Sequence, residues 1–351
     1  MVEAMARAAG VRTGLYTSPH LMRFAERIQI GGQSPGDEHL QSALDEVMDG
    51  FPELTFFETA TVAAFIVFAR TRVELALVEV GLGGRLDATN VLDAPLATAI
   101  TRIALDHTDR LGSDLASIAR EKAGILKRTV PVVVGPLDPI SFAIVRAEAD
   151  RVGAPLRLTA DDGEIASFVE QHPPGLAGRH QIENAKIAVA LAREIALPAR
   201  AVAAGLSTVT WPGRLESIVT SVGEVLLDAA HNPDGASALA AALASQARDP
   251  ARVALVFGAM ADKDAPAMLA VLAPYARHRF YVAPEGRRAT DPAQLAFLLP
   301  GVVAPGVPEA LEQARAAVGT GGSVLVTGSI FLAGAARAYL LGLPRDPAIA
   351  L

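Results

Sequence analysis

"LALVEVGLGGRLDATN" occupies residues 75–90 and joins an apolar run to a cluster of glycines. An apolar run of this length that ends at a glycine-rich turn is typical of a strand buried inside a sheet. The run ends on one acid, Glu79, and Asp87, Thr89 and Asn90 follow the glycines. In open α/β sheets ligands bind beyond the carboxyl ends of the strands, so we expect part of a functional site here.

Similar apolar runs alternate with helical patterns along the rest of the chain. The strand-like runs read LALVEV, ATAITRI, VPVVVG, EVLLDAA, RVALVFGA, RFYVAP and SVLVTGS, and the helix-like segments read DLASIAREKAGILK, ENAKIAVALAREIA, DGASALAAALASQA and EALEQARAAV. Nearly unbroken apolar strands are typical of parallel strands that are buried on both faces. The alternation of the two patterns predicts an α/β fold with a mostly parallel sheet.

The composition narrows the class of protein. The 351 residues are 51% hydrophobic and 20% charged, which suits about two globular domains. A net charge of -7 argues against a surface for nucleic acid or an anionic membrane, and the absence of cysteine excludes disulfides and thiol catalysis. The longest apolar stretch, ATVAAFIVFA, is too short to span a bilayer, and MVEAMARAAG lacks a signal-peptide pattern. We expect a soluble, cytoplasmic protein.

The segment TVTWPGRLESI marks the expected domain boundary. It contains the single tryptophan and a Pro-Gly turn signal, and it lies between a helical stretch and a new series of strands and helices. We therefore predict one α/β domain over residues 1–212 and a second, Rossmann-like domain over residues 213–351.

Four segments place acids, histidines or hydroxyls directly after predicted strands. They are GLYTSPHL with Ser18 and His20, VEVGLGGRLDATN with Glu79 and Asp87, ITRIALDHTDRLG with Asp106 and His107, and LLDAAHNPDG with Asp228, His231 and Asn232. One such strand end is weak evidence, whereas four at the functional edge of a sheet indicate an active site.

Each of these features also has a simpler structural interpretation. His107 and Asp228 suit the start of a helix, and Ser18 before a proline suits a turn. Lys122 lies within a helical pattern, where a solvated lysine is the usual outcome, and Phe57 reads as a core residue. The GLGG cluster lacks the spacing of a dinucleotide-binding fingerprint.

A set of longer strings occurs in a characteristic order. They are GLYTSPHLMRFAERIQI, LTFFE, VEVGLGGRLDATNV, LDHTDRLG, REKAGILK, GRHQIENA, WPGRLE, LDAAHNP, VFGAMADKD and TGSIFLAG. In combination they closely resemble the folylpolyglutamate synthase / dihydrofolate synthase family of Mur-ligase-like amide ligases, from about residue 10 to about residue 340. The resemblance implies an N-terminal Mur-ligase-type, P-loop-like α/β domain and a C-terminal Rossmann-like α/β domain.

The resemblance implies an ATP-dependent ligation. ATP phosphorylates the carboxylate of a folate or dihydropteroate, and the amine of L-glutamate then attacks the acyl phosphate to form an amide. The expected partners are these small molecules, without nucleic acid or membrane, and the expected state is a monomer because one chain supplies both domains. A cell-wall Mur ligase shares this plan, but LTFFE and GLGGRLDATN favour pterin chemistry.

The resemblance also assigns roles to single residues of the first domain. Ser18, Glu79 and His107 match metal ligands for Mg²⁺, and Thr55, Phe57, Asp87 and Ala88 match the pterin pocket. Oxygen ligands suit Mg²⁺, and phosphoryl transfer between anions needs cations. Lys122 matches a lysine that is carbamylated in this family, and a carbamate, unlike an ammonium, is an anion that suits a cation site.

Four matches concern ATP and glutamate. Asn184, Arg214 and Asp228 match positions that reach the nucleotide, and His231 matches a position that handles glutamate. Arg214 lies near the domain hinge, where a cation would stabilise the transferred phosphate. The expected catalytic residues are therefore Lys122, His107, Arg214 and His231.

One family element is missing from the chain as written. The family carries a phosphate-binding loop, Gly-Thr-Asn-Gly-Lys-Gly-Ser, ahead of the helix that precedes GLYTSPHL, whereas here Met1 opens that helix and no G-x-x-G-K-[ST] occurs. We expect either a chain that begins at an internal methionine of a longer enzyme or a degenerate homologue that binds folate without ATP turnover. We favour the first, because the other functional positions are intact. In both cases the polypeptide 1–351 is expected to bind ATP poorly.

Overall fold

A computed structural model describes residues 1–220, 223–286 and 288–347. The chain forms two compact units, and neither is continuous in sequence. The first unit comprises Met1–His20, Phe24–Gly175 and Gln181–Val209, and the second comprises Leu21–Arg23, Leu176–His180 and Thr210–Leu351. The division into domains at residues 212 and 213 stays a prediction.

Many of the helices begin where the sequence supplies a polar cap. Asp114, Asp138 and Asn232 each accept a hydrogen bond from a backbone N–H in the first turn of the helix that follows, which satisfies a donor that the helix leaves free. Within the described residues the α-helices are α1 (Val2–Ala8), α2 (Asp37–Gly50), α3 (Phe56–Arg70), α4 (Thr108–Leu111), α5 (Leu115–Ala123), α6 (Pro139–Val152), α7 (Gly163–Gln171), α8 (Arg179–Glu194), α9 (Ala199–Thr208), α10 (Pro233–Ser245), α11 (Ala265–Leu272), α12 (Pro292–Leu298), α13 (Val307–Val318) and α14 (Ile330–Leu341).

The strands form two small sheets in the first unit and one larger sheet in the second. In chain order they are β1 (Thr13–Tyr16), β2 (Ile28–Ile30), β3 (Leu75–Val78), β4 (Thr98–Ile100), β5 (Val132–Val134), β6 (Leu156–Leu158), β7 (Glu216–Thr220), β8 (Gly223–Leu227), β9 (Val253–Phe257), β10 (His278–Tyr281), β11 (Val302–Val303) and β12 (Ser323–Thr327). The sheet orders are β2-β1-β3, β4-β5-β6 and β11-β10-β9-β12-β8-β7. Of these neighbours, β1–β2 and β7–β8 are antiparallel and the others parallel, which confirms the expectation of mostly parallel sheets.

The sheet of the second unit is buried on both faces. Every residue of its two central strands, β9 and β12, is buried. Successive side chains of a strand point to opposite faces. Accordingly Leu255 and Phe257 pack with α10 and α11, whereas Ala254 and Val256 pack with α13 and α14. The prediction of apolar strands covered on both faces is confirmed for this sheet.

Strand β3, which carries the opening stretch of the sequence, departs from that prediction. Its burial is partial, and Ala76 is exposed. The reason is its place in the sheet, because within the described part of the chain β3 pairs with β1 alone and forms an edge.

Helices α1 and α9 cross in close contact at a glycine. A Cβ atom added to Gly205 would lie 2.4 Å from the backbone N and Cα of Met5. Met5 is fully buried and belongs to a core cluster of the first unit that includes Val202 and Leu206 of α9. The crossing therefore depends on the missing side chain of Gly205.

Among the described helices, none combines the length and the apolar character needed to cross a membrane.

Candidate active site

The ends of β1 and β3 bring Ser18 and Glu79 together. The two strands are parallel neighbours, with Tyr16 opposite Val78. The N–H of Glu79 donates to the carbonyl of Tyr16 at 2.9 Å, and the N–H of Ser18 donates to the Glu79 carboxylate at 3.1 Å. The Glu79 side chain itself is exposed. The backbone of Ser18 and the carboxylate of Glu79 thus lie side by side at the carboxyl edge of this sheet.

Arg27 is a buried cation of the same unit. It was not singled out by the sequence analysis. It is 3% exposed, and its Nε donates to Nδ1 of His20 at 2.9 Å. Its guanidinium lies 5.3 Å from the ring centre of Phe56 and 5.9 Å from that of Phe24, within the range of a cation–π contact. Burial lowers the pKa of Arg27, and the charges of Tyr16 and Glu79 act against that shift.

Arg27 is therefore a buried positive charge that interacts electrostatically with Glu79. The sequence gives little indication of Arg27. It is a charged residue directly before the short strand β2, and the residues around it contain no catalytic motif.

Asp87 organises the loop that follows Glu79. One carboxylate oxygen accepts from the N–H groups of Gly81 at 3.0 Å and Leu82 at 2.8 Å. The other accepts from the N–H of Thr89 at 3.0 Å and its hydroxyl at 2.5 Å. A carboxylate has about four acceptor positions, so these loop donors occupy them. Asp87 as a pterin contact stays a prediction, and it requires the ligand to share or replace loop bonds.

The glycines of the loop give room to protein atoms. A Cβ on Gly81 would lie 2.3 Å from the ring of Phe57, and one on Gly84 would lie 2.8 Å from the carbonyl oxygen of Glu121 in α5. The close approaches at these two glycines therefore come from α3 and α5.

A set of hydrogen bonds joins the loop 81–90 to the end of α5 and the residues that follow it. The N–H of Arg85 donates to the carbonyl of Glu121 at 2.8 Å, and the Arg85 guanidinium pairs with the Glu121 carboxylate at 2.9 Å. The amide of Asn90 donates to the carbonyl of Gly124 at 3.2 Å, and Lys127 donates to the carbonyl of Asn90 at 3.2 Å. The loop is thus held against the last turn of α5 and the residues after it by backbone and side-chain hydrogen bonds.

Thr55 and Phe57 lie at the start of α3. Thr55 caps the helix in a reciprocal arrangement with Glu58, whose carboxylate accepts the Thr55 N–H at 2.8 Å. The Phe57 ring lies 6.0 Å from the ring of Tyr16 and packs on Gly81. The predicted pocket residues Thr55 and Phe57 therefore lie beside the loop that carries Asp87 and Ala88.

Lys122 is half-buried in the last turn of α5. Burial lowers its pKa, and the charge of Asp106 acts in the opposite direction. Lys122 therefore differs from a fully solvated surface lysine. A lysine with a lowered pKa has a larger fraction of its neutral amine at physiological pH.

His107 lies in the loop that contains Asp106. It has a left-handed backbone with a φ of 49°, and its N–H donates to the Asp106 carboxylate at 2.9 Å. Over residues 1–220, 223–286 and 288–347, no group of three or more His, Asp or Glu side chains is arranged to hold a metal ion. The predicted set of Ser18, Glu79 and His107 contains two residues of these types, and its role stays a prediction.

In the second unit, Asp228 holds the backbone around Arg214. It is 7% exposed and accepts from the N–H groups of Leu215 and Ala230, each at 2.9 Å. Burial raises the pKa of Asp228, while these two N–H donors and the charges of Arg214 and His231 act against that shift. The simple interpretation of Asp228 as a helix cap is wrong, because Asn232 caps α10.

His231 and Asn184 are placed by local contacts. A ring nitrogen of His231 lies 2.9 Å from the carbonyl oxygen of Ala229. Asn184 lies on α8 and donates to the side chain of Gln181, one turn earlier, at 3.2 Å. The roles predicted for both residues, in glutamate and nucleotide binding, stay predictions.

Asp87→Asn is expected to lower the free energy of unfolding by about 2 kcal/mol, because an amide nitrogen cannot accept from the loop N–H groups. Urea denaturation measures the change. Asp93→Asn, at an exposed position a few residues further on, is the matched control and should be close to neutral. Equal stabilities of the two variants would contradict the role of Asp87 in the loop.

Lys122→Met is expected to raise stability at pH 7 by roughly 1 kcal/mol in CO₂-free buffer, because it removes a buried charge. The folded-state pKa of Lys122 lies below its ordinary value of 10.5. Between these two pKa values the unfolded chain binds more protons, so wild-type stability rises with pH there. Urea denaturation across this range should show that rise in the wild type and a flatter dependence in the variant. Parallel curves would contradict the buried lysine.

Residues 213–330 match the family model described as Mur ligase, glutamate ligase domain. The chain is 36% identical over 371 residues to the probable bifunctional folylpolyglutamate synthase/dihydropteroate synthase of Halobacterium salinarum, which covers 95% of this chain and 44% of that protein. It thus spans less than half the length of that relative. It is 35% identical over 414 residues to the dihydrofolate synthase/folylpolyglutamate synthase of Mycobacterium tuberculosis, covering 99% of this chain and 83% of that protein.

Solved structures show the same likeness. E. coli FolC in complex with DHPP and ADP superposes with a TM-score of 0.89 at 31% identity, covering 97% of this chain and 84% of that one. A bifunctional folylpolyglutamate synthase/dihydrofolate synthase with Mn, AMPPNP and L-glutamate bound superposes with a TM-score of 0.86 at 31% identity, covering 97% and 85%. These likenesses confirm the predicted fold class. The chain belongs to the dihydrofolate synthase/folylpolyglutamate synthase family.

Proposed function

We propose that this protein joins L-glutamate to the carboxylate of a folate or dihydropteroate in an ATP-dependent reaction that passes through an acyl phosphate. The observation that carries the proposal is the pairing of Ser18 with Glu79 beside the Asp87 loop, in a chain of this family. The ligands of its solved relatives, DHPP, ADP, AMPPNP and L-glutamate, support the same reaction.

We assign a divalent cation to Ser18, Glu79 and His107. The donor chemistry of the first two fits, because Ser18 carries a hydroxyl and Glu79 a carboxylate, and a backbone hydrogen bond holds the two residues together at the strand ends. The manganese of a solved relative supports the choice of a divalent ion. When bound, the cation supplies positive charge that offsets the negative charge of the reacting phosphate.

The remaining residues of the first unit bind and orient the pterin in this proposal. Phe57 offers an aromatic face next to Tyr16, where a flat ring can stack. Asp87 holds the loop that carries Ala88, which we assign to the same pterin pocket. In the second unit, the exposed guanidinium of Arg214 meets the transferred phosphate, Asp228 serves the nucleotide and His231 serves glutamate. In the first unit, Asn184 serves the nucleotide.

For Lys122 we propose carbamylation. The neutral amine attacks the carbon of CO₂, a nitrogen–carbon bond forms, and the π electrons of one C=O bond move onto its oxygen. The N–H proton passes to water, which leaves the carbamate anion. The lowered pKa of Lys122 favours the neutral amine that this step needs. A carbamate signal in carbon-13 NMR with labelled bicarbonate, present in the wild type and missing from Lys122→Met, tests the assignment. A monomeric state and a cytoplasmic location also remain proposals.

The test of the function is phosphate release from ATP that depends on both L-glutamate and a reduced folate or dihydropteroate. It is run on the polypeptide 1–351 and on a version extended upstream from the genomic sequence. Dependence on both substrates in either form supports the ligase. Folate binding without ATP turnover in both forms would replace it with a degenerate binding protein, and stabilisation by a muramyl peptide in place of a pterin would point to a cell-wall ligase.

A further inference from the structure

The turn that carries Arg214 is held in an unusual backbone conformation. Gly213 and Leu215 both have positive φ, at 71° and 47°, and Leu215 is not a glycine. A left-handed conformation at such a residue is unfavourable and persists where surrounding contacts impose it. Gly213 and Leu215 are buried, whereas Arg214 between them is exposed. The turn therefore directs one cation outwards from a fixed backbone.

Each backbone N–H of this turn has a defined acceptor. Leu215 donates to Asp228 at 2.9 Å and Arg214 donates to the carbonyl of Trp211 at 3.2 Å. Gly213 donates to the carboxylate of Glu216 at 2.8 Å. Two carboxylates, one at the start of β7 and one directly after β8, thus hold the two residues with positive φ.

Glu216 is itself held by a distant helix. Nε of Arg337, on α14, lies 2.9 Å and 3.0 Å from the two carboxylate oxygens of Glu216. Both side chains are largely buried, with exposed fractions of 16% for Arg337 and 20% for Glu216. A charged pair of low exposure loses less to solvent screening than a surface pair. The turn at Arg214 is in this way anchored to α14.

We propose that Glu216, held by Arg337, is a positioning residue that fixes the turn 213–215 and thereby the direction of Arg214. This role rests on the proposed function, in which Arg214 meets the transferred phosphate. It is distinct from a general contribution to stability, because the Glu216 carboxylate contacts the backbone next to Arg214. Preorganised cations act on developing charge without reorganisation, so a loosened turn should slow the reaction more than it weakens substrate binding.

The test compares Glu216→Gln with Glu224→Gln. Glu224 pairs with Arg248 in the same unit at similar burial, with exposed fractions of 27% and 26%, and it is on β8 away from the turn. Both variants should lower Tm by a similar few degrees. Glu216→Gln should lower kcat for glutamate-dependent phosphate release about tenfold with the KM for folate little changed, whereas Glu224→Gln should keep kcat within about twofold.

Two further readouts separate positioning from stability. In an Arg214→Ala background, adding Glu216→Gln should change the remaining rate by less than about twofold, because the residue acts through Arg214. If the rate reductions of Arg214→Ala and Glu216→Gln multiply in the double variant, the two residues act independently and the proposal is overturned.

Hydrogen exchange at the amides of Gly213 and Leu215 should be about tenfold faster in Glu216→Gln and unchanged in Glu224→Gln. Unchanged exchange in both variants would also overturn the proposal. The rates are measured in whichever form turns over, the polypeptide 1–351 or the version extended upstream. No turnover in either form would instead remove the proposed function and the role of Arg214, while the exchange data would still decide whether Glu216 fixes the turn.

Discussion

Gly205→Ala is expected to lower the free energy of unfolding by about 3 kcal/mol. On helix propensity alone the change should stabilise α9, since alanine is favoured over glycine by up to about 1 kcal/mol inside a helix. The new methyl group would lie 2.4 Å from backbone atoms of Met5, which cannot rotate away as a side chain can. The clash therefore reverses the sign that propensity predicts.

Urea denaturation measures this effect, and Gly50→Ala is the matched control. Gly50 ends α2, and a Cβ there meets nothing within 4 Å, so that variant should be neutral or slightly more stable. A Gly205→Ala protein as stable as the wild type would mean that α1 can move away from α9 at little cost.

Glu79→Gln is expected to reduce glutamate- and folate-dependent phosphate release about 100-fold or more. The amide keeps the size of the side chain but removes the charge that the proposed cation needs. Mn²⁺ affinity, followed by titration, should fall about tenfold in parallel, and it provides a readout that does not depend on turnover.

Glu74→Gln is the control for this loss. Glu74 precedes β3 as Glu79 follows it, and it too accepts a backbone N–H from a neighbouring segment, that of Arg12 at 2.9 Å. Its loss should leave the rate within about twofold. Similar rates and similar Mn²⁺ affinities in the two variants would remove Glu79 from the cation site.

The central strands of the fold could be predicted from the sequence, whereas the short edge strands could not. β9 and β12 are apolar over five residues each, and both of their faces are covered by helices. β2, β6 and β11 span two or three residues and are mostly half-buried or exposed. Such short segments take strand geometry from the neighbours they pair with, and their own pattern is too short to show it.

The strand-end residues of the site were predictable for a similar reason. Ser18 and Glu79 follow parallel strands, and neighbouring strands bring their ends together. Arg27 and Glu216 were not predictable, because each is defined by contacts made after the chain folds. Glu216 meets a partner that lies 121 residues away, and no local pattern indicates such a pair.

Lys122 shows the same limit within a helix. Its position in REKAGILK resembles any helical lysine, and the packing around the end of α5 is what lowers its pKa. The GLGG motif likewise does not show which atoms approach it, and at Gly81 and Gly84 these atoms belong to α3 and α5.

The hydrogen bonds between the loop 81–90 and the end of α5 matter for any attempt to change the proposed substrate preference. Arg85 and Asn90 fasten the loop to the helix end that carries Lys122. A loop transplanted from a homologue with a different substrate preference would lack its matching hydrogen-bond partners at Glu121, Gly124 and Lys127. The exchangeable module is therefore the pair of segments 81–90 and 121–127, and the two should be swapped together.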